Sequence, residues 1–182
     1  MTQFYTYRGF SLRRAGTSIK VLITAFLLTV SVAVAVGVVN YRLRTGLGVQ
    51  GAVDWYRGNE ATAGPAEPLL YEKTALELLD ATHAHLFGQA FLLFLLAHVF
   101  ALTPVRSSVK PWAYVAAFAS VAIDTSVPWL IRFVSPAFAP LQPIGLGLMI
   151  GTFLLFLLVP LREMWLVSTE PPESRTDDAP AP

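Results

Sequence analysis

The chain has 182 residues, of which 54% are hydrophobic and 14% charged, and its mean hydropathy of +0.56 is too apolar for a water-soluble domain. Its net charge of +1 provides no overall field, and no basic patch is interleaved with aromatic residues, so nucleic-acid binding is excluded. The absence of cysteine excludes disulfides, thiolate catalysis, iron–sulfur clusters and covalently attached haem.

Four apolar runs predict four transmembrane helices. The runs are Val21 to Val39, His85 to Leu102, Pro111 to Ile131 and Pro143 to Leu161. Each approaches the ~20 residues that a helix needs to cross a hydrocarbon layer. Since lipid offers the backbone no hydrogen-bond partner, runs of this length must be helical. The predicted fold class is therefore all-α, a polytopic membrane protein with a four-transmembrane-helix bundle.

Charge bias predicts how these segments are oriented. Positive residues precede span one (Arg8, Arg13, Arg14 and Lys20) and lie in the second connection (Arg106 and Lys110), so the positive-inside rule places both in the cytoplasm. The predicted order is a cytoplasmic tail (1–20), span one (21–40), a periplasmic or extracellular loop (41–82), span two (83–103), a cytoplasmic loop (104–110), span three (111–133), a second outer loop (134–142), span four (143–162) and a disordered cytoplasmic tail (163–182). The predicted location is the cell's inner membrane, with both termini cytoplasmic.

Span one also resembles a signal peptide, because Ala33-Val34-Ala35 imitates a cleavage site. The apolar run continues through Val39, which is longer than the roughly 7 to 15 residues of a signal-peptide core. We therefore expect an uncleaved membrane anchor.

The long first loop has two segments with structural content. Thr74 followed by Glu77 fits a capping box, which predicts a short amphipathic helix before span two, continuous with it or joined by a bend. Val53 to Arg57 is aromatic and charged, which is typical of an interfacial anchor or of a contact with a partner.

Small residues and prolines are expected to shape the bundle. Two pairs of small residues four apart, Ala33 with Gly37 and Gly147 with Gly151, predict close approach between helices. Pro128 is expected to bend span three, and Pro143 and Pro160 to mark the ends of span four.

The few polar side chains inside the predicted spans are the candidate site residues, because an ionisable group there costs at least ~2.5 kcal/mol. They are His83, His85, Gln89 and His98 in span two, Asp124 in span three, and Arg132 near the outer end of span three. Their depths predict that His85, Gln89 and Asp124 converge in an outer-half pocket, with Arg132 and Trp129 at its mouth. Such a pocket suits a quinone or another amphipathic molecule, with His85 as hydrogen-bond partner and Asp124 as proton acceptor.

Histidines at the two ends of a long apolar helix resemble those of b-type cytochromes, where one such helix ligates two haems. The residues that carry the resemblance are His83 or His85 with His98, and it covers span two alone. It implies haem b with these histidines as candidate iron ligands. Because the other spans contain no histidine, a second ligand would come from another copy or a partner subunit, or each haem would have one axial histidine. In the alternative interpretation all three histidines are structural.

Soluble-type catalysis is not indicated, because the sequence has no Gly-rich phosphate loop, no G-x-S-x-G motif and no paired intramembrane carboxylates. A transporter is disfavoured by the lack of an inverted repeat.

Our main interpretation is a non-catalytic membrane subunit or anchor of a larger assembly, a redox assembly being one option. Its partners would be the lipid bilayer and other membrane or periplasmic subunits, or a second copy. The alternative is a haem b or quinone-binding electron-transfer protein that uses the histidines of span two.

Overall fold

The computed structural model describes residues 11–167, and this part of the chain is all-helical. The helices are α1 (Thr17–Thr45), α2 (Val49–Arg57), α3 (Ala75–Ala101), α4 (Lys110–Trp129) and α5 (Leu141–Trp165). Short 3₁₀ turns occupy Leu12–Arg14 and Pro136–Phe138, and a π-helical turn, Leu130–Val134, follows α4. Four segments are long and apolar enough to cross a membrane: Thr17–Thr45, Ala75–Ala101, Lys110–Val134 and Pro136–Trp165. The predicted four-span bundle is confirmed, and α1, α3, α4 and α5 are spans one to four.

The bundle has two distinct ends. The loop end carries α2 and residues 58–74, and the tail end carries Leu12–Arg14 and Trp165. Most of the two predicted tails, residues 1–10 and 168–182, lies outside the described residues.

Span two begins with the predicted capping box. The Thr74 hydroxyl accepts a hydrogen bond from the Glu77 backbone N–H at 3.2 Å, and the Glu77 carboxylate accepts one from the Thr74 N–H at 2.8 Å. These bonds satisfy N–H groups that a helix start leaves free. The amphipathic helix expected before span two is therefore the first part of the same continuous helix.

Helix α2 is a short helix within the predicted loop 41–82. Span one ends where Gly46 adopts a left-handed conformation with φ of 62°, and the chain then doubles back. A Cβ at Gly51 would lie 2.0 Å from the carbonyl oxygen of Thr45, so this close approach requires glycine. The aromatic and charged cluster Val53 to Arg57 is the second half of this helix, and α2 packs through the buried Ala52.

Hydrogen bonds and an ion pair hold the segment between α2 and span two in place. The Asn59 side chain accepts a hydrogen bond from the Leu70 N–H at 2.7 Å. Arg132 of span three pairs with Glu72 at 2.8 Å and donates to the Lys73 carbonyl at 2.7 Å. These bonds hold residues 58–74 against the loop end of span three.

The apolar core lies toward the tail end. Phe100 and Phe156 are fully buried, with ring centroids 4.9 Å apart. Lys110 is also buried and donates to the carbonyl oxygens of Ala101, the last residue of span two, and of Thr103, just beyond it, at 2.7 and 2.8 Å. The tail end is therefore closed by packed rings and a capped helix terminus.

The structure corrects two expectations about packing. A Cβ at Gly37, Gly147 or Gly151 would meet no atom within 4 Å, so these small residues do not bring described helices together. Gly145 does so instead, because a Cβ there would lie 2.5 Å from Cγ2 of Ile123 in span three. A four-residue spacing shows only that two residues share a face, while the larger side chains decide which face packs.

The prolines behave differently from one another. Pro128 is followed by the π-helical turn that continues span three. Pro160 does not end span four, because α5 continues to Trp165. A proline inside a helix removes one backbone hydrogen bond, and neighbouring helices in a membrane protein can compensate for this loss. The residues after Pro160 include the buried Glu163 and Met164, whose packing holds the last turn.

Candidate functional site

A cavity of about 620 Å³ opens at the loop end, among all four spans and α2. Its volume lies within the range of about 300 to 1,000 Å³ that is typical of small-molecule sites. Toward the middle of the spans its walls are apolar, with Val34, Leu93, Leu96 and Phe153. Toward the loop end its walls are polar. The polarity of the cavity walls therefore suits a lipid-soluble molecule with a polar head.

A carboxylate and an amide meet in the wall of this cavity. Gln89 of span two donates from Nε2 to Oδ2 of Asp124 in span three at 2.9 Å. In this geometry the amide nitrogen of Gln89 faces Asp124 and the amide oxygen points away. Oε1 of Gln89 is buried and has no hydrogen-bond partner among residues 11–167.

Three buried polar atoms that belong to cavity-lining residues have no hydrogen-bond partner among residues 11–167. They are the Tyr41 hydroxyl, Oε1 of Gln89 and Oε1 of Gln142. Gln142 is only 4% exposed. A buried polar group without a partner costs about 1 to 3 kcal/mol, so such groups are normally satisfied. Half of the six such atoms within residues 11–167 belong to residues around this one cavity, which makes it the candidate ligand site.

The rim of the cavity is aromatic and charged. Two cations lie over the indole of Trp55, the Arg44 guanidinium 5.1 Å and the Lys73 ammonium 4.5 Å from its centroid. Lys73 also pairs with Glu77 at 3.3 Å. Arg44, Trp55, Lys73 and Glu77 all line the cavity. The rim therefore combines an indole with long cationic side chains. Both kinds of side chain favour the membrane interface.

Tyr56 of α2 adds a neutral hydroxyl to the lining. Burial, and next the negative charge of Asp124, raise the pKa of its phenol well above the usual range. The phenol therefore stays protonated and can both donate and accept a hydrogen bond.

The structure separates the candidate residues predicted from the sequence. It brings His85, Gln89 and Asp124 to one cavity, whereas His83 and His98 do not line it. His98 is exposed on span two, and its Nδ1 lies 2.9 Å from the carbonyl oxygen of Phe94. The histidines thus form no common site within one chain.

Trp129 and Arg132 also lie outside the lining, in contrast to their predicted place at the pocket mouth. Trp129 donates from its indole nitrogen to the Thr82 hydroxyl at 2.8 Å, and Arg132 is held by residues 72 and 73. Both side chains join structural elements to each other, and the mouth is formed by Arg44, Trp55 and Lys73 instead.

Several lining residues were not predicted from the sequence, because they lie near the ends of spans or in the loop. The main ones are Tyr41, Arg44, Tyr56, Lys73 and Gln142. Gln142 did carry a signal, since it is an uncharged polar residue one position before the predicted start of span four. Its orientation toward the cavity depends on helix rotation, which the sequence pattern does not reveal.

Within residues 11–167, no group of three or more His, Cys, Asp or Glu side chains is placed to hold a metal ion. The chain's three histidines all belong to α3, so a second histidine ligand for haem iron would have to come from outside this chain.

Comparison with known proteins identifies a family. The family model Aq_1264_TM, a transmembrane helical domain, matches residues 46–171, which include α2 and spans two to four. No curated protein and no solved structure compared with the chain shows a match. The family match covers more than half of the 182 residues and agrees with the four apolar helices. The chain is therefore an integral membrane protein that belongs to the Aq_1264_TM family of transmembrane helical domains.

Proposed function

We propose that this protein binds a lipid-soluble molecule with a polar head, of the quinone class, in the loop-end cavity. The observation that carries the proposal is the set of unpartnered buried atoms on Tyr41, Gln89 and Gln142 around that cavity. In a membrane such atoms cannot reach water cheaply, so a head group that bonds to them gains more than a hydrocarbon chain would. In this proposal His85 is a hydrogen-bond partner of the head, and Asp124 is a proton acceptor.

The proposal is tested by filling the cavity. Gly37 lines it, and a Cβ there would meet no atom within 4 Å, so Gly37→Trp adds an indole at the cavity wall. Gly147→Trp is the matched control, since Gly147 also has open space but does not line the cavity. The probe is a radiolabelled benzoquinone with a short alkyl tail, offered in both oxidation states to protein in lipid nanodiscs.

We expect saturable binding of at least one oxidation state to the natural protein and to Gly147→Trp, and binding at least ~10-fold weaker to Gly37→Trp. Equal binding to the two variants, or no saturable binding to any of the three proteins, would contradict the proposal.

A second candidate, haem b binding, has one specific observation in its favour. The Nδ1 of His98 lies 2.9 Å from the Phe94 carbonyl, an arrangement that leaves Nε2 free and fixes the ring as in many metal-binding histidines. Because His98 is exposed on span two, haem would bind there between this chain and another one. A reduced-minus-oxidised spectrum with a Soret band that disappears in His98→Ala would support this candidate. A colourless preparation, or a spectrum unaltered in His98→Ala, would exclude His98 as a ligand.

The role of a membrane subunit or anchor is supported by apolar side chains outside the spans. Leu69 and Tyr71 are 51% and 65% exposed on the segment that joins α2 to span two. In this proposal the segment contacts another subunit of the assembly. Leu69→Ser with Tyr71→Ser should then reduce the mass of the complex extracted from native membranes in mild detergent. An unchanged mass would argue against this contact.

The same proposal places the protein in the inner membrane, with the loop end facing the periplasm or cell exterior. Support comes from Arg13, Arg14 and Lys20 at the tail end and from Lys110 at the start of span three, since positive residues favour the cytoplasmic side.

A further inference from the structure

The mouth of the cavity at the loop end is charged. Arg44, Lys73 and Glu77 lie around it, whereas the apolar walls lie deeper, toward the middle of the spans. An alkyl tail that left through this mouth would pass charged groups on its way to water, which is unfavourable for an apolar chain. A ligand whose head lies near the loop end therefore needs another way out for its tail.

A second side of the cavity reaches the surface of the bundle between spans one and two. Ala33 and Gly37 of span one, and Ala81 and His85 of span two, line the cavity and are also exposed. On spans three and four every lining residue is buried or half-buried. A side chain that both lines a cavity and is exposed lies at the edge of an opening. We call the gap edged by these four residues the lateral opening.

The lateral opening lies at the depth of the membrane's hydrocarbon. At ~1.5 Å per residue, Gly37 lies ~12 Å from the loop end of span one, and His85 lies ~15 Å from the loop end of span two. Span one has 29 residues, so when it is centred its ends project roughly 7 Å beyond a hydrocarbon layer ~30 Å thick. Both residues therefore lie below the headgroups, where the neighbours of the lateral opening are acyl chains.

The loop-end half of span one packs little against the rest of the bundle. The buried apolar residues of span one, Leu27 and Val30, lie in its tail-end half, and none of residues 31–44 is buried. A Cβ at Gly37 would meet no atom within 4 Å. Within residues 11–167, no hydrogen bond or ion pair joins span one to span two. The loop-end half of span one therefore leaves a gap beside span two.

We propose that the ligand enters the cavity from the bilayer through the lateral opening, and that its alkyl tail stays there while its head lies near the loop end. This inference rests on the proposed function. It adds the entry route, and it requires a ligand whose tail is long enough to reach the surrounding acyl chains. Val34, Leu92 and Leu93 line the cavity on the same two spans, so the tail has apolar neighbours on its way out.

Fluorescence quenching tests the lateral opening without a ligand. Met149 of span four lines the cavity and is half-buried, and Met149→Cys gives the chain a single thiol. This variant is labelled with bimane and placed in nanodiscs whose lipids have bromine atoms on their acyl chains, or have none. We expect the brominated chains to quench the label more strongly than iodide dissolved in the water. Quenching by iodide without quenching by the brominated lipid would overturn the proposal.

Obstruction of the lateral opening tests the entry route. Ala81→Phe places a ring at its edge, and Ala84→Phe is the matched control, since Ala84 is exposed on span two but does not line the cavity. Ala81→Phe should reduce the quenching of the label by brominated lipid. In unlabelled protein it should slow the association of a benzoquinone with a long alkyl tail by at least ~10-fold. Ala84→Phe should change neither, and equal effects of the two substitutions would overturn the proposal.

The outcomes separate this inference from the proposed function. Unchanged association in Ala81→Phe, together with binding that is lost in Gly37→Trp, would overturn the lateral route and leave the proposed function standing. Absence of saturable binding to the natural protein would remove the proposed function and the ligand's route together. Quenching by brominated lipid in that protein would then show an opening that admits lipid tails without a quinone site.

Discussion

At the scale of the residue, the central feature is Asp124, a carboxylate in a membrane span whose hydrogen-bond partner within residues 11–167 is one neutral amide. Its hydrogen bond from Gln89 measures 2.9 Å, and the structure shows no salt bridge to it within residues 11–167. A side chain this costly in a span normally marks a site. The unpartnered oxygens of Gln89 and Gln142 nearby in the same lining agree with that interpretation.

Asp124→Leu should separate structure from function. Loss of the carboxylate removes a cost of about 2.5 to 3.5 kcal/mol for membrane insertion, while the stranded Gln89 amide costs about 1 to 3 kcal/mol. We therefore expect folding and membrane insertion to be retained and binding of the quinone-class probe to be lost. Thermal unfolding in detergent and probe titration measure the two effects. Normal binding would show that Asp124 is only a structural partner of Gln89.

At the scale of the element, helix α2 forms the rim because it folds back onto the end of span one. The reversal depends on Gly46 with φ of 62° and on the close approach of Gly51 to Thr45. It brings Trp55 close to Arg44 of span one and to Lys73. Arg57 then donates to the Ile131 carbonyl of span three at 3.1 Å. The rim is therefore assembled from three separate elements.

Gly51→Ala should disrupt this assembly. The added methyl would lie 2.0 Å from the Thr45 carbonyl oxygen, so α2 must shift, and overpacking of this kind costs about 1 to 3 kcal/mol. We expect a lower midpoint of thermal unfolding and weaker probe binding. Gly48→Ala is the control, since the nearest atom to its new methyl is 3.8 Å away. Equal behaviour of the two variants would mean that the reversal tolerates a side chain.

At the scale of the whole molecule, the bundle is packed at one end and open at the other. At the tail end, Lys20 donates to the Met164 carbonyl at 2.9 Å and Trp165 to the Thr24 hydroxyl at 3.0 Å, which joins spans one and four. At the loop end the four spans surround the cavity. A ligand would therefore reach the site from the loop end or from the surrounding lipid.

The orientation of the molecule is testable because the chain contains no cysteine. Gly64→Cys places a single thiol on the segment between α2 and span two, and Ser107→Cys places one in the connection between spans two and three. We expect a membrane-impermeant maleimide to label Gly64→Cys in intact cells and Ser107→Cys only after permeabilisation. The opposite pattern would invert the topology and place the cavity on the cytoplasmic side.

The sequence by itself determined the number and approximate limits of the spans and the start of span two. Hydropathy and the Thr74–Glu77 cap are local properties, and lipid leaves a long apolar segment no alternative to the helix. The regular helical rise also indicated that Gln89 and Asp124 lie at similar depth, and the structure shows them hydrogen-bonded.

Only the tertiary structure decided how each helix is rotated about its axis and where α2 folds. The packing of large side chains from several spans sets this rotation. As a result Gly37 and Gln142 lie along the cavity and Gly145 lies against Ile123. No spacing along one helix contains that information, because a face becomes interior only when another helix covers it.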